Sequence, residues 1–94
     1  MSYSLEFVES ALKEWRKLPA SVRDHFKNKL RERLVNPHVP ASRLHGLPHC
    51  YKIKLRTVGY RLVYEVNDKT VVVTVIAVGK RDKGAAYRAA KDRI

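Results

Sequence analysis

One cysteine, Cys50, stands alone in 94 residues. An internal disulfide is excluded, as is a zinc cage built on thiolates, and a reducing compartment is the expected home. No apolar run approaches the roughly 20 residues that a spanning helix needs. The opening MSYSLEFVES has neither a basic start nor an apolar core, so no signal peptide is expected. A cytoplasmic protein without a membrane partner follows from these absences. Phosphate-binding loops are missing too, because Gly79-Lys80-Arg81 has no upstream glycine at Walker spacing. Acids are scarce: nine Asp and Glu stand against 20 Lys and Arg, a net charge of +11. Between Pro37 and Tyr64 there is no carboxylate at all.

The charge excess is unevenly spread. Residues 37–64 carry five cations and no acid, against eight and five in 1–36 and seven and four in 65–94. A surface of this sign and clustering favours nucleic acid. A solubilising surface or an acidic protein partner would satisfy the same charge. Within this region, Tyr51–Tyr64 reads YKIKLRTVGYRLVY. Tyr51, Ile53 and Leu55 alternate with Lys52, Lys54 and Arg56, and period two places the two sets on opposite faces of a strand. Thr57-Val58-Gly59 is turn-like, with Gly59 free to take a positive φ, and Tyr60, Leu62 and Tyr64 resume the alternation. The stretch predicts a β-hairpin whose polar face carries Lys52, Lys54 and Arg61.

Around it, a single α+β domain over 1–94 is expected. Ser2–Phe7 alternates as a first strand. From Val8 the apolar spacing becomes helical through Ala11, Leu12, Trp15 and Leu18, where Trp15 is most simply core. After Pro19, Ser21 with Asp24 resembles a capping box, and Val22, Phe26, Leu30 and Leu34 mark a second helix ending near Asn36, ahead of Pro37. Residues 37–50 are irregular and hold His38, His45 and His49. Their spacing matches no metal motif, so solvated loop histidines are expected, with no metal and no cofactor. Asn67-Asp68-Lys69 makes a turn. Val71–Val78 is an almost unbroken apolar run, which fits a strand buried on both faces, and Gly79 should end it. Residues 84–94 suit a helix, but one too short and too poor in large apolar groups to be firm alone. The order is β-α-α-β-β-β-α: an antiparallel sheet of about four strands, a helical hairpin packed on one face, and a C-terminal helix.

Lys52, Lys54, Arg61, Arg81 and Tyr87 form the one constellation with chemical potential. Cleavage of RNA by its own 2′-hydroxyl needs a base for that hydroxyl, cations for the phosphorane, and an acid for the departing 5′-oxygen. A lysine serves as base if its pKa falls, and the like charges of Lys52, Arg56 and Arg61 push Lys54 that way. Arginine clamps phosphate well but is a poor acid, and Tyr87 suits stacking on a base. On residue chemistry alone, a non-catalytic RNA-binding face fits equally.

At these residues the chain resembles the RelE family of bacterial type II toxin–antitoxin toxins. The likeness runs through ALKEWRKL at 11–18, CYKIKLR at 50–56, GYRLVY at 59–64, VVV and VGKR within 71–81, and Tyr87. It implies a microbial-RNase-like fold and a ribosome-dependent endoribonuclease that cuts A-site mRNA on the 70S ribosome, against small-subunit rRNA. It also implies a RelB-like antitoxin that displaces the C-terminal helix and, through its own DNA contacts, represses the operon from operator DNA. By the same resemblance Lys54 is the general base, Lys52 a supporting cation, Arg61 the phosphate clamp, Arg81 the group at the leaving oxygen, and Tyr87 the residue that stacks and orients mRNA. Arg43, His45, Arg56, Lys80 and Lys83 are the expected RNA- and ribosome-binding set. His45 departs from the family, whose members carry an arginine there. Two alternatives are a ParE-type toxin, which binds DNA gyrase without cleaving nucleic acid, and a plain basic RNA-binding module.

Overall fold

Period two gives way to helical spacing at Val8, and the backbone changes with it: β1 (Ser4–Phe7) ends and α1 (Glu9–Arg16) begins. The computed structural model describes residues 2–80 and 84–94. The next helix, α2 (Ala20–Val35), starts differently from expectation. Ser21 and Asp24 form no capping box. Pro19 takes the cap position and no side chain caps the helix, while Asp24 turns outward to Lys27 at 4.0 Å. Proline has no N–H to satisfy and a φ already near the helical value, so it sets the helix entry without a hydroxyl. A short 3₁₀ turn at Pro40–Ser42 follows, then β2 (Cys50–Leu55), β3 (Tyr60–Asn67), β4 (Val72–Lys80) and α3 (Ala85–Arg93). The expected element order is observed.

The sheet order is β1-β4-β3-β2. Strands β2, β3 and β4 form the antiparallel meander, but β1 runs parallel to β4, with Ser4 beside Val72 and Phe7 beside Val75. The sheet is therefore mixed, which corrects the wholly antiparallel expectation. Alternation within a short strand says which side chains share a face and nothing about the direction of its neighbour. The helical hairpin carries the chain from one sheet edge to the other, and that crossover is what permits a parallel pair.

β4 is the interior strand that its apolar run predicts. A β-bulge interrupts its ladder: Val63 pairs with Ala77 but Tyr64 with Val75. The extra residue lets Ile76 and Ala77 both join the core beneath α3, where strict alternation would have split them. Val71 falls outside the strand with φ 57°, a left-handed conformation rare for a β-branched residue. At the other end, β4 continues through Gly79 to Lys80.

Two cores share this sheet. On one face α1, α2 and the turn between them bury Ala11, Leu18, Val22, Phe26 and Leu30 against the apolar sides of β2, β3 and β4. Trp15 seals that core beside Phe7 and Phe26, with ring centroids 5.3 and 6.1 Å away. On the other face α3 buries only Ala86 and Ala90 over Cys50, Val63, Ile76 and Ala77. Full burial of a Phe or Leu contributes about 1.5–3 kcal/mol and a single methyl about 0.8. The hairpin face is thus firmly held and the α3 face is not.

One buried polar knot ties α2 to the sheet. Tyr64 is fully buried; its hydroxyl donates to the Pro37 carbonyl at 2.7 Å and accepts from Arg33 at 2.9 Å. The same guanidinium reaches the Lys52 carbonyl at 3.2 Å and Ser42 Oγ at 3.2 Å. Tyr64→Phe strands a buried carbonyl and one guanidinium N–H, at a cost of about 1–3 kcal/mol. Urea unfolding should show that loss as a lower midpoint with an unchanged m-value; a midpoint equal to wild type would remove the knot from the stability account.

Candidate active site

The β2–β3 register decides which cations meet. Lys54 lies directly across from Arg61, and Lys52 across from Val63. Directly opposed residues of an antiparallel pair share a face, so Lys52, Lys54 and Arg61 project to the same side. Their spacing is fixed from behind, because Tyr51, Ile53 and Leu55 are buried at 7%, 2% and 7% exposure. Gly59 closes the hairpin turn with φ 72°, donating its N–H to the Leu55 carbonyl at 2.8 Å. On β4 the row continues to Gly79, the partner of Arg61. A Cβ there would meet nothing within 4 Å, so the space beside the guanidinium is open.

Helix α3 adds the aromatic. Arg61 Nη1 donates to the Tyr87 hydroxyl at 3.3 Å, and the guanidinium carbon lies 5.3 Å from the ring centroid, within cation–π range. A cleft of about 250 Å³ opens between Lys54, Arg56, Gly59, Tyr60 and Arg61. A second, of about 260 Å³, runs between His45, Gly46, Tyr87 and Lys91. The Arg61–Tyr87 contact links the two into a cationic trough crossing the sheet face.

Electrostatics single out Lys54. Its ammonium is exposed, yet its pKa is lowered, first by the charge of Lys52, then by partial loss of hydration, then by Arg61 and Arg56. Each neighbour disfavours the charged form. Cys50, two residues from Lys52, is a contrast: burial, reinforced by the charge of Glu65, pushes its thiol up to about 11. It is a core residue and no nucleophile.

Of the other predicted residues, Arg56 and Lys80 are exposed, the latter at the end of β4 opposite Tyr60. Arg43 bridges to Tyr51 and shares a hollow of about 370 Å³ with His45. Arg81 and Lys83 lie outside the described residues. Among the described residues no group of His, Cys, Asp or Glu is placed to hold a metal. His38 is an exposed loop residue, as expected, but it is not without partners. It joins a chain in which Tyr3 donates to Asp68 at 2.6 Å, Asp68 contacts His38 at 2.8 Å, and His38 contacts the Tyr51 hydroxyl at 3.1 Å. The link pins β1 and the β3–β4 turn to the hairpin's apolar side, away from the trough.

A basic trough on one sheet face, bordered by an aromatic from α3, thus surrounds an exposed amine whose pKa is lowered. The chain belongs to the RelE/ParE family of type II toxin–antitoxin toxins: the family model for the ParE toxin of the parDE type II system matches residues 5–84. Over all 94 residues the chain is 56% identical to the mRNA interferase toxin RelE of Escherichia coli K12, covering 99% of that protein. A double arginine-to-alanine variant of the E. coli RelE toxin in the free state superposes with TM-score 0.92 at 55% identity, covering 100% of this chain and 99% of that one. The toxin of the intact E. coli RelBE toxin–antitoxin complex superposes with TM-score 0.84 at 57% identity, over 87% of this chain and 100% of that one.

The electrostatic origin of the Lys54 shift is directly testable. In the free protein, NMR titration should place Lys54 below the ordinary lysine value, and Lys52→Met should move it upward. A Lys54 midpoint unmoved by that substitution would remove Lys52 from the causes and leave the shift to hydration and the two arginines.

Proposed function

We propose that the protein is the mRNA-cleaving toxin of a type II toxin–antitoxin pair, acting on A-site mRNA in the ribosome through the Lys52–Lys54–Arg61–Tyr87 trough. The observation that carries this is the register placing Lys54 opposite Arg61, with Tyr87 laid over the guanidinium, in a chain 56% identical to an mRNA interferase. In the proposed reaction neutral Lys54 takes the proton of the 2′-hydroxyl, and the 2′-oxygen bonds to the adjacent phosphorus. The bond from phosphorus to the 5′-oxygen breaks. That oxygen takes a proton from water, with the Arg81 cation assigned to stabilise its departing charge, giving a 2′,3′-cyclic phosphate and a 5′-hydroxyl. Arg61 neutralises charge growing on the phosphorane, as a preorganised donor does best. Lys52 lowers the pKa of Lys54, and Tyr87 stacks on the exposed base.

The trough is shallow and open, so it grips little of a flexible strand. Positioning by the ribosome is assigned the missing work, since holding the reacting atoms in line is worth about 7–11 kcal/mol. Arg43, His45, Arg56, Lys80 and Lys83 are the proposed contacts to rRNA and mRNA phosphates. The antitoxin is proposed to be RelB-like and to act at the α3 face, where little apolar area has to be given up; operator DNA is then reached through the antitoxin.

A gyrase-binding toxin is the second reading, favoured by the family model that matches residues 5–84. That match stops before α3 and Tyr87, whereas the likeness to the RelE interferase spans the whole chain. On programmed ribosomes, purified protein should cut A-site mRNA and leave cyclic or 3′-phosphate ends, while gyrase supercoiling stays at its control rate. Lys54→Ala should slow cleavage by about 10²–10⁴-fold and Arg61→Ala by about 10²–10³-fold. Intact mRNA together with inhibited gyrase would reverse the assignment.

A further inference from the structure

The ion pair between Glu14 of α1 and Arg93, the last residue of α3, differs in kind from the surface pairs. Its N–O distances are 2.8 and 3.1 Å, and the side chains of Arg93 and Glu14 are only 24% and 33% exposed. The pairs Lys13–Glu9 and Lys27–Asp24 are more exposed, longer, and confined to single helices.

Both members of the Glu14–Arg93 pair also hold the β4 backbone. Glu14 Oε1 accepts the Val78 N–H at 3.1 Å, and Arg93 Nη1 donates to the Ile76 carbonyl at 2.8 Å. β1 pairs with β4 only as far as Val75. Glu14 and Arg93 therefore take over the edge of β4 where β1 has run out, supplying partners that backbone groups require. The arrangement is a clamp: one charged pair joins α1, β4 and the end of α3. The helix buries only small side chains, Ala86 and Ala90, and its N-cap Gly84 has no side-chain cap. Tyr87 sits six residues before Arg93, and its hydroxyl contact with Arg61 is long at 3.3 Å.

We propose that Glu14 and Arg93 are positioning residues for Tyr87: their clamp on the β4 edge seats α3, and the seated helix sets the Tyr87 ring over Arg61. Opening the clamp unseats α3 and takes Tyr87 out of the trough while the Lys52–Lys54–Arg61 row stays in place. The catalytic consequence rests on the role of Tyr87 proposed above; the structural consequence does not.

The test is a double-mutant cycle on single-turnover mRNA cleavage by ribosome-bound protein, using Arg93→Ala and Tyr87→Ala singly and together. It is paired with ¹⁹F NMR of the 3-fluorotyrosine-labelled protein, the Tyr87 signal being assigned by its loss in Tyr87→Phe. Arg93→Ala should lower the rate at saturating ribosomes by about 10-fold or more, as displaced positioning groups do, with little change in the half-saturating ribosome concentration. In the Tyr87→Ala background the same substitution should have almost no further effect, because both act through one ring. The Tyr87 fluorine signal should move toward its unfolded position. Glu14→Gln, which keeps an acceptor for Val78, should fall between wild type and Arg93→Ala and serves if the alanine variant does not fold. Additive losses in the double variant, or a Tyr87 signal unmoved by either substitution, would overturn the proposal. If wild-type protein leaves mRNA intact, the cleavage reading falls and the fluorine signal alone decides the clamp.

Discussion

Cations held close together against their own repulsion are the constraint on which the site depends. Lys54 and Arg61 face each other across an antiparallel ladder, with Lys52 one step along the same face. In solution such groups would splay apart. Here they cannot, because each strand is fastened from behind by buried Tyr51, Ile53, Leu55, Leu62 and Tyr64. Shifting either strand by one residue would drive the lysines into the core. The hydrophobic effect thus sustains an electrostatic arrangement that is unfavourable in the free protein. The lowered pKa of Lys54 is the mark of that stored repulsion.

The two sides of the sheet divide the labour. The α1–α2 face buries large side chains and is joined to β2 through the Arg33–Tyr64 knot, which gives the hairpin rigidity. The α3 face buries alanines, and the Glu14–Arg93 pair joins the end of that helix to α1. Segments with few buried apolar contacts are the ones that open most cheaply. Placing Tyr87 on such a segment makes the site easy to dismantle without unfolding the domain, a useful property in a toxin that must be held silent.

Much of this was legible in the sequence because period reports faces. The alternation of Tyr51–Leu55 placed Lys52 and Lys54 together, and the almost unbroken run in Val71–Val78 placed β4 inside the sheet. Pairing direction was not legible: Ser4–Phe7 looks the same beside a parallel or an antiparallel neighbour. The bulge at Ile76 was hidden for a related reason, since an all-apolar run shows no break in alternation. Ser21 and Asp24 had the right spacing for a capping box, but Pro19 had already fixed the helix entry. Long-range polar links left no signal at all. Glu14 and Arg93 are 79 residues apart, and nothing in either neighbourhood separates them from charges that face solvent. His38 likewise looked like any loop histidine until Asp68 and Tyr51 were brought to it. Tyr87 was a stacking candidate from its chemistry and the family resemblance; its contact with Arg61 needed the fold.

The central claim is that repulsion from Lys52 makes Lys54 a usable base. The most direct measurement is the pH dependence of single-turnover cleavage on ribosomes for wild type and Lys52→Gln. A base must be neutral to act, so the rate should rise with pH and level off above the Lys54 pKa. Removing the Lys52 charge raises that pKa, so the profile should move to higher pH and the rate near neutrality should fall, while the plateau changes less. A Lys52→Gln profile that keeps its wild-type midpoint, or a wild-type rate that does not change with pH, would contradict the account.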